Sequence, residues 1–292
     1  MVDVVAPPTE LDLERVRGCL LGGALGDAVG ARHEGAPPAG GRALRPGHFT
    51  DDTQLTLATA EAIADAGRAD PERIAAGLLA WHRRDPIRGV GAATAKALRE
   101  LSVGGHWALV GRTGEHAAGN GAAIRTAPLA FVLDPRDPKA RRTIRDVARI
   151  THRSDEAYAG ALAVCLAVHD ALSDDLDLDL IAAALPDSGV RDRLREIARL
   201  ELRDAAARGT SGWVVDAVPL ALRAASIPDF ESMLAEVVAL GGDCDSIGSM
   251  AGQIWGARHG AAALPTAMLR ELPGRDDVER VAHAFARKRP DR

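Results

Sequence analysis

Aromatic residues are scarce in this sequence. Phe, Trp and Tyr together make up 3% of the 292 residues, whereas alanine and leucine occur throughout. Sheets favour β-branched and aromatic side chains, and small residues allow helices to pack closely, so this composition argues against a β-sandwich. No stretch alternates apolar and polar residues over the length of a strand. We therefore expect an all-α protein.

Cysteine pairs, excess positive charge and long apolar runs are also missing, and each absence argues against a class of protein. The three cysteines, at positions 19, 165 and 244, form no CxxC pair, which argues against a disulfide framework or a cysteine zinc site. The formal net charge of −5 provides no basic face for general nucleic-acid binding. No run approaches the apolar length of a membrane span, and the N-terminus lacks the pattern of a signal peptide. We expect a cytoplasmic protein without a membrane partner.

The chain shows no internal repeat and no linker that would divide it. We predict a flexible tail over residues 1–9 and one compact, many-helix domain over residues 10–292. A segment rich in glycine and proline, residues 33–48, is interpreted as a loop. Helical patterns cover residues 11–29, 51–66, 71–83, 89–102, 121–133, 138–149, 155–172, 188–208, 213–225, 229–240, 247–260 and 276–287.

The first group of residues that could carry chemistry is the sequence 50–53, Thr-Asp-Asp-Thr. It stands at a predicted helix start, where Asp51 can act as the cap with Gln54 as its capping-box partner. Helix N-termini favour negative charge, so a doubled cap without further function is one interpretation. Carboxylates beside hydroxyls are also the oxygen ligands that hard divalent cations prefer.

A second acidic group, Asp243 and Asp245 with Ser246, follows the glycine pair Gly241-Gly242. The glycines permit a tight bend, and in extended backbone the two aspartates would project to the same side. The two groups are 191 residues apart from Asp52 to Asp243. If they meet, four carboxylates would repel one another unless metal neutralised them, and that charge favours two divalent ions. Two-metal sites orient substrates and activate water.

Five segments in order resemble the ADP-ribosylglycohydrolase family. The segments are residues 17–30 followed by Glu34, residues 49–54, residues 119–125, Thr151 with His152, and residues 239–247 leading into Ala251 and Gly252. Each is weak alone, but together they span nearly the whole chain. The resemblance implies an all-α domain with a central two-metal cleft holding two Mg²⁺ or Mn²⁺ ions. It also implies release of ADP-ribose from a modified protein side chain by cleavage at the ribose C1″ position.

The resemblance also assigns expected roles to individual positions. Glu34 matches a glutamate that approaches the metals, and we take it as the catalytic candidate. Ser246 replaces a common threonine but keeps the hydroxyl; Cys244 also replaces a threonine and is expected to point away from the ions. The expected metal ligands are Thr50, Asp51, Asp52, Asp243, Asp245 and Ser246, and the expected ADP-ribose-binding residues are Gly119, Asn120, Gly121 and His152.

Several alternatives remain open at this point. Glu34 is also explained as a solvated charge, His152 as a capping or internally satisfied histidine, and Asn120 as a turn residue. The substrate could be another ADP-ribosyl compound, such as an O-acyl-ADP-ribose or an ADP-ribosylated nucleobase, and nucleic acid would enter only as such a modified substrate. A catalytically silent binding relative is the third possibility. We expect a monomer.

Overall fold

Helices supply the regular secondary structure of the computed structural model, which describes residues 11–287. Within that range the extended backbone forms two isolated bridges and no strand, so the expected all-α class is confirmed. The predicted tail over residues 1–9 lies outside the described residues. None of the helices in the described range is long and apolar enough to cross a membrane.

The helices are named here in chain order. They are α1 (Leu13–Gly30), α2 (Asp51–Ala66), α3 (Pro71–Arg84), α4 (Ala92–Ser102), α5 (Gly121–Ile124), α6 (Pro138–Arg149), α7 (Asp155–Leu172), α8 (Leu178–Ala184), α9 (Gly189–Ile197), α10 (Leu202–Ala205), α11 (Val214–Ala224), α12 (Phe230–Leu240), α13 (Cys244–His259), α14 (Thr266–Glu271) and α15 (Arg275–Ala286). Short 3₁₀ segments lie at Glu115–Ala117, Ala127–Phe131, Ala206–Arg208 and Ala261–Ala263.

The centre of the domain is an antiparallel pair formed by α1 and α13. Its backbones approach through facing glycines, because a Cβ on Gly22 would lie 2.3 Å from the Gly252 carbonyl oxygen and one on Gly26 would lie 1.9 Å from that of Gly248. Both helices are buried along nearly their whole length. Close backbone contact therefore compensates for the low helix propensity of these glycines. The facing pairs are Gly18 with Gly256, Gly22 with Gly252, and Gly26 with Gly248.

This pairing determines where the functional groups meet. Since α1 and α13 run in opposite directions, the C-terminal end of α1 lies beside the N-terminal start of α13. A Cβ on Gly30 would lie 2.4 Å from the Cα of Asp245. The second acidic group is therefore held against the end of α1 that leads to Glu34.

Helix bounds follow the sequence pattern in some places and depart from it in others. Helix α2 has the predicted bounds and ends at Gly67, whose φ of 70° is left-handed. The predicted helix over residues 121–133 is wrong: it divides into α5 and a 3₁₀ segment that carries Pro128 in its first turn, where the missing N–H costs nothing. The predicted helix over residues 188–208 is also divided, because the backbone is extended at Glu201.

Three more differences concern helix starts and short helices. Helix α13 begins at Cys244, three residues before the predicted start. Helices α8 and α14, of seven and six residues, were not predicted. Such short segments show too few turns to display a periodic pattern. The side chain of Asp177, which accepts hydrogen bonds from the Asp179 and Leu180 backbone N–H groups, caps α8 and could have marked its start.

Candidate active site

The first acidic group lies at the N-terminus of α2. Thr50, and not Asp51 as expected, is the cap: its hydroxyl accepts a hydrogen bond from the Asp52 backbone N–H at 3.3 Å. Asp51 is the first helical residue. Its carboxylate accepts a hydrogen bond from the Gly91 backbone N–H. The cap role thus falls to a hydroxyl, which leaves both carboxylates free of capping.

Asp27 of α1 fixes the start of α2. Its buried carboxylate accepts hydrogen bonds from the backbone N–H groups of Thr50 and Thr53 at 3.0 Å, and from their hydroxyls at 3.0 and 2.6 Å. Burial raises the pKa of Asp27 to about 6, although these hydrogen bonds oppose the rise. Because Asp27 accepts a hydrogen bond from the Thr50 hydroxyl, a lone pair of the Thr50 oxygen can face a cation.

The glycine pair before the second acidic group makes the expected tight bend. Gly241 and Gly242 have φ angles of 68° and 64°. The loop after α1 is bonded to this bend: the Gly35 N–H donates to the Gly242 carbonyl at 2.8 Å, and the Gly242 N–H donates to the Ala36 carbonyl at 3.1 Å. A Cβ on Gly241 would lie 2.1 Å from the Ala36 oxygen. The bend therefore brings Glu34 to the second acidic group.

Asp243 is the N-cap of α13 and Asp245 stands in its first turn. Our expectation that extended backbone presents these two side chains together is therefore wrong; a helix start does so. One carboxylate oxygen each from Glu34, Asp243 and Asp245 lie within 4.8 Å of one another. Cys244 is buried, and its sulfur lies 3.4 Å from the Gly30 carbonyl oxygen, so it packs on α1 as expected.

The two acidic groups meet in the folded protein. Burial, followed by the charge of Asp27, raises the pKa of Asp51 to about 7. Burial raises the pKa of Asp245 to about 8, with Asp243 and Glu34 adding repulsion. The pKa of Asp52 is raised well above its usual value by burial and then by repulsion from Asp27 and Asp245. This much negative charge in one buried place requires protons or cations.

Two buried oxygens test whether cations fit here. Asp52 Oδ2 and Asp245 Oδ1 are shielded from solvent, and neither has a hydrogen-bond partner among residues 11–287. A buried carboxylate oxygen without a donor is costly. The side chains around these two oxygens carry carboxylates and hydroxyls, which are oxygen ligands that suit Mg²⁺ or Mn²⁺ and not a soft metal. The residues present therefore fit a hard divalent cation.

All eleven site residues selected from the sequence line one cavity of about 320 Å³. They lie at or just before the starts of α2, α5 and α13, in the loop after α1 and in the segment before α7. The eleven are Glu34, Thr50, Asp51, Asp52, Gly119, Asn120, Gly121, His152, Asp243, Asp245 and Ser246.

The sequence interpretation missed other lining residues. Arg112, His116 and Thr94 also face this cavity. His116 is exposed and at the same time part of the lining. Arg112 lies in the loop of residues 103–118, which carries no periodic pattern, so no sequence signal marked it.

Asn120 connects the glycine-rich segment to the second acidic group. Its side-chain Nδ2 donates to Asp243 Oδ2 at 2.6 Å, and its backbone N–H donates to the Gly212 carbonyl at 3.0 Å. The hydrogen bond from Asn120 opposes the rise that burial produces in the pKa of Asp243. Asn120 is thus more than a turn residue, and its own N–H is not available for a phosphate.

His152 lines the cavity beside Gly119 and Gly121. Its ring is buried, and Nδ1 lies 2.8 Å from the Thr151 hydroxyl oxygen. A Cβ on Gly121 would lie 3.1 Å from the ring Cε1, and one on Gly119 would lie 3.3 Å from Nε2. Burial, together with the charges of Arg125 and Arg112, lowers the pKa of His152 to about 3. The imidazole is therefore neutral at physiological pH.

The chain is similar to known proteins over nearly its whole length. The family model described as ADP-ribosylglycohydrolase matches residues 8–292. An uncharacterized protein of Archaeoglobus fulgidus is 31% identical, with 92% of this chain and 95% of that protein aligned. The ADP-ribosylarginine hydrolase Tri1 of Pseudomonas putida is 28% identical over 96% of this chain and 80% of its own length. A solved chain titled ADP-ribosylglycohydrolase-related protein complex superposes with a TM-score of 0.74 at 31% identity, covering 94% of this chain and 98% of that one.

Proposed function

The chain belongs to the ADP-ribosylglycohydrolase family, a family of ADP-ribosyl hydrolases, and we propose that it releases ADP-ribose from a modified protein side chain by hydrolysing the bond at ribose C1″. One observation carries the proposal. Two acidic groups from opposite ends of the sequence converge on one cavity, where Asp52 Oδ2 and Asp245 Oδ1 are buried without a hydrogen-bond donor among the described residues.

The acidic end of the cavity is proposed to bind two Mg²⁺ or Mn²⁺ ions. Four aspartates contribute four formal negative charges, which two divalent ions balance. When bound, the ions would supply Lewis acidity and neutralise the repulsion among the carboxylates. The proposed ligands are Thr50, Asp51, Asp52, Asp243, Asp245 and Ser246.

Glu34 is proposed to handle the proton of the attacking water. Its carboxylate is solvent-exposed and lies beside Asp243 and Asp245, so it can accept a proton and pass it to bulk water. Water adds to C1″, the bond from C1″ to the side-chain nitrogen or oxygen breaks, and the departing atom takes up a proton. Positive charge that develops at C1″ is stabilised by the neighbouring aspartates.

The neutral end of the cavity is proposed to seat the rest of the ADP-ribosyl group. Gly119, Gly121 and His152 line it without adding negative charge, which suits a diphosphate-bearing ligand. Asn120 holds Asp243 toward the acidic end. We propose that the protein acts as a monomer, which light scattering of the purified protein checks.

The test is release of free ADP-ribose from modified proteins. Purified protein is incubated with arginine-linked and serine-linked ADP-ribosyl substrates side by side, with O-acyl-ADP-ribose and an ADP-ribosylated nucleic acid as further substrates. We expect magnesium-dependent release from at least one modified protein and its loss in EDTA. Activity confined to the two other compounds would instead identify a different ADP-ribosyl substrate.

A matched pair of substitutions on α2 separates the site from general effects. Asp52→Asn removes one of the converging carboxylates, whereas Asp65→Asn alters an exposed residue of the same helix. We expect the first to abolish magnesium-dependent release and the second to leave it unchanged. Full activity of Asp52→Asn, or of the wild type in EDTA, would refute the metal centre. Calorimetry that detects neither Mg²⁺ nor ADP-ribose binding would indicate a silent relative.

A further inference from the structure

Arg125, the residue that follows α5, has no described role in the site and is fully buried. Its guanidinium has no carboxylate partner among residues 11–287 and donates to neutral oxygens instead. Nη1 donates to the Ala122 carbonyl at 3.2 Å, and Nη2 donates to the Val147 carbonyl at 3.0 Å and to the Thr151 hydroxyl at 2.9 Å. Burial lowers its pKa only to about 10, so it remains charged at neutral pH.

The hydroxyl of Thr151 connects this buried charge to the cavity wall. Its oxygen lies 2.9 Å from Arg125 Nη2 and 2.8 Å from His152 Nδ1. A guanidinium can only donate, so the hydroxyl oxygen must accept from Arg125. The single proton of the hydroxyl then points to His152 Nδ1, which accepts it through its lone pair.

We propose that Arg125 and Thr151 are positioning residues that hold His152 in the tautomer with its proton on Nε2, so that the ring offers a fixed N–H donor to an oxygen of the bound substrate. The substrate part of this inference rests on the proposed function. The direction of the hydrogen bonds, from arginine to threonine to histidine, does not.

The opposite tautomer is disfavoured by the same contacts. A proton on His152 Nδ1 would have to be donated to the Thr151 oxygen, which already accepts from Arg125. The hydroxyl proton would then have no acceptor, because the described residues offer Thr151 Oγ1 only these two partners. A buried polar hydrogen without an acceptor is costly.

The position of His152 Nε2 allows its N–H to donate a hydrogen bond to a ligand in the cavity. The ring lines the cavity, and its Nε2 edge stands against Gly119 and Gly121, which lack side chains that would cover it. No residue among 11–287 forms a hydrogen bond with Nε2. An N–H group at this place can donate to a phosphate or ribose oxygen that enters the cavity.

The tautomer is measured directly by nitrogen NMR of protein labelled with ¹⁵N-histidine, in the absence of substrate. We expect the wild type to show a protonated Nε2 and an unprotonated Nδ1 for His152, with no change from about pH 5 to about pH 8. Thr151→Val removes the hydroxyl while keeping the shape, and a mixture of tautomers is expected. Thr151→Ser keeps the hydroxyl and is expected to restore the wild-type pattern. The control is Thr143→Val on α6, where, among the described residues, the half-buried threonine donates only to the Lys139 carbonyl of its own helix.

Binding is the second measurement. Calorimetry with ADP-ribose is expected to show a Kd about tenfold higher in Thr151→Val than in wild type or Thr151→Ser, about the effect of one hydrogen bond. Kinetics should place the loss in KM, with kcat changed about twofold or less, since a donor of this kind serves binding.

Three results would decide against the inference or its premise. A proton on Nδ1 in the wild type overturns it even if the variants fail to fold. An unchanged tautomer and Kd in Thr151→Val also overturn it. A protonated Nε2 that is lost in Thr151→Val, in a protein that does not bind ADP-ribose, supports the positioning chain and refutes the proposed function.

Discussion

Gly26→Ala is expected to disrupt the packing of α1 against α13 at the end of the pair that carries the candidate site. The added Cβ would lie 1.9 Å from the Gly248 carbonyl oxygen, whereas real Cβ contacts stay above 3.0 Å. The obstructing atom belongs to the backbone of a buried helix and cannot rotate away, so the two helices must separate by roughly 1 Å. Asp27 on α1 and Asp245 on α13 would move apart with them.

The size of the effect follows from two opposing terms. Overpacking a tight contact costs about 1–3 kcal/mol, and the upper end applies where backbone meets backbone. Alanine recovers about 1 kcal/mol through its helix propensity. The net loss of stability is therefore about 2 kcal/mol, and with an unfolding entropy of about 2.1 cal/mol/K per residue over 292 residues this lowers Tm by roughly 3 °C.

Thermal unfolding with and without Mg²⁺ measures both consequences. Gly18→Ala meets the Gly256 oxygen at 2.1 Å at the far end of the pair, so we expect a similar fall in Tm with an unchanged magnesium affinity. Gly26→Ala should lose stability and also bind magnesium more weakly. Gly40→Ala, where no atom lies within 4 Å of the added Cβ, is the control. A Gly26→Ala protein with wild-type Tm and magnesium affinity would refute this account of the packing of α1 against α13.

Three further predictions concern charge and reactivity. Burial holds the pKa of Asp51 near 7 and that of Asp245 near 8, so the folded metal-free protein keeps protons that the unfolded chain releases near pH 4. Its stability should fall from about pH 4 to about pH 8, and saturating Mg²⁺ should remove the fall; a flat Tm across that range in EDTA would contradict this. Glu34→Gln should lower kcat by about 10²-fold or more with little change in magnesium affinity. Glu231→Gln on the surface should leave both quantities unchanged. A wild-type kcat in Glu34→Gln would exclude Glu34 as the base. The three cysteines are buried and burial raises the pKa of each thiol, so alkylation followed by mass spectrometry should modify them only after unfolding, and labelling of the native protein would be inconsistent with this packing.

The two acidic groups of the candidate site could be selected from the sequence because their signal is local, whereas Glu34, residues 119–121 and His152 were assigned from the resemblance to the family. Carboxylates beside hydroxyls in residues 50–53, and beside glycines in residues 241–246, keep the same neighbours whatever the tertiary structure. The class of fold was predictable for a similar reason, since composition and periodicity persist over long stretches. The sequence pattern does not show which residues lie near one another in the fold. That Asp52 and Asp245 are close enough to repel each other is seen only in the structure.

The errors occurred where tertiary contacts override local preference. Thr50 takes the cap that was expected of Asp51, because Asp27 from another helix holds the threonine in place. Asp243 and Asp245 face the cavity from a helix start because the glycine bend docks on the loop after α1. Arg125 resembles an ordinary surface arginine in sequence, and its complete burial depends on α6 and on Thr151.

The pairing of α1 with α13 also affects when the chain can fold during its synthesis. Gly18 and Gly256 are 238 residues apart in the chain, so the glycine face of α1 has no partner until almost all of the protein has left the ribosome. Contacts of such large sequence separation slow folding more than they weaken the final state. The ligands are likewise divided between the beginning and the end of the chain, so an unfinished chain holds only half of the proposed metal centre. At the proposed metal centre, cations would therefore stabilise the folded molecule by mass action and would not guide the chain toward it.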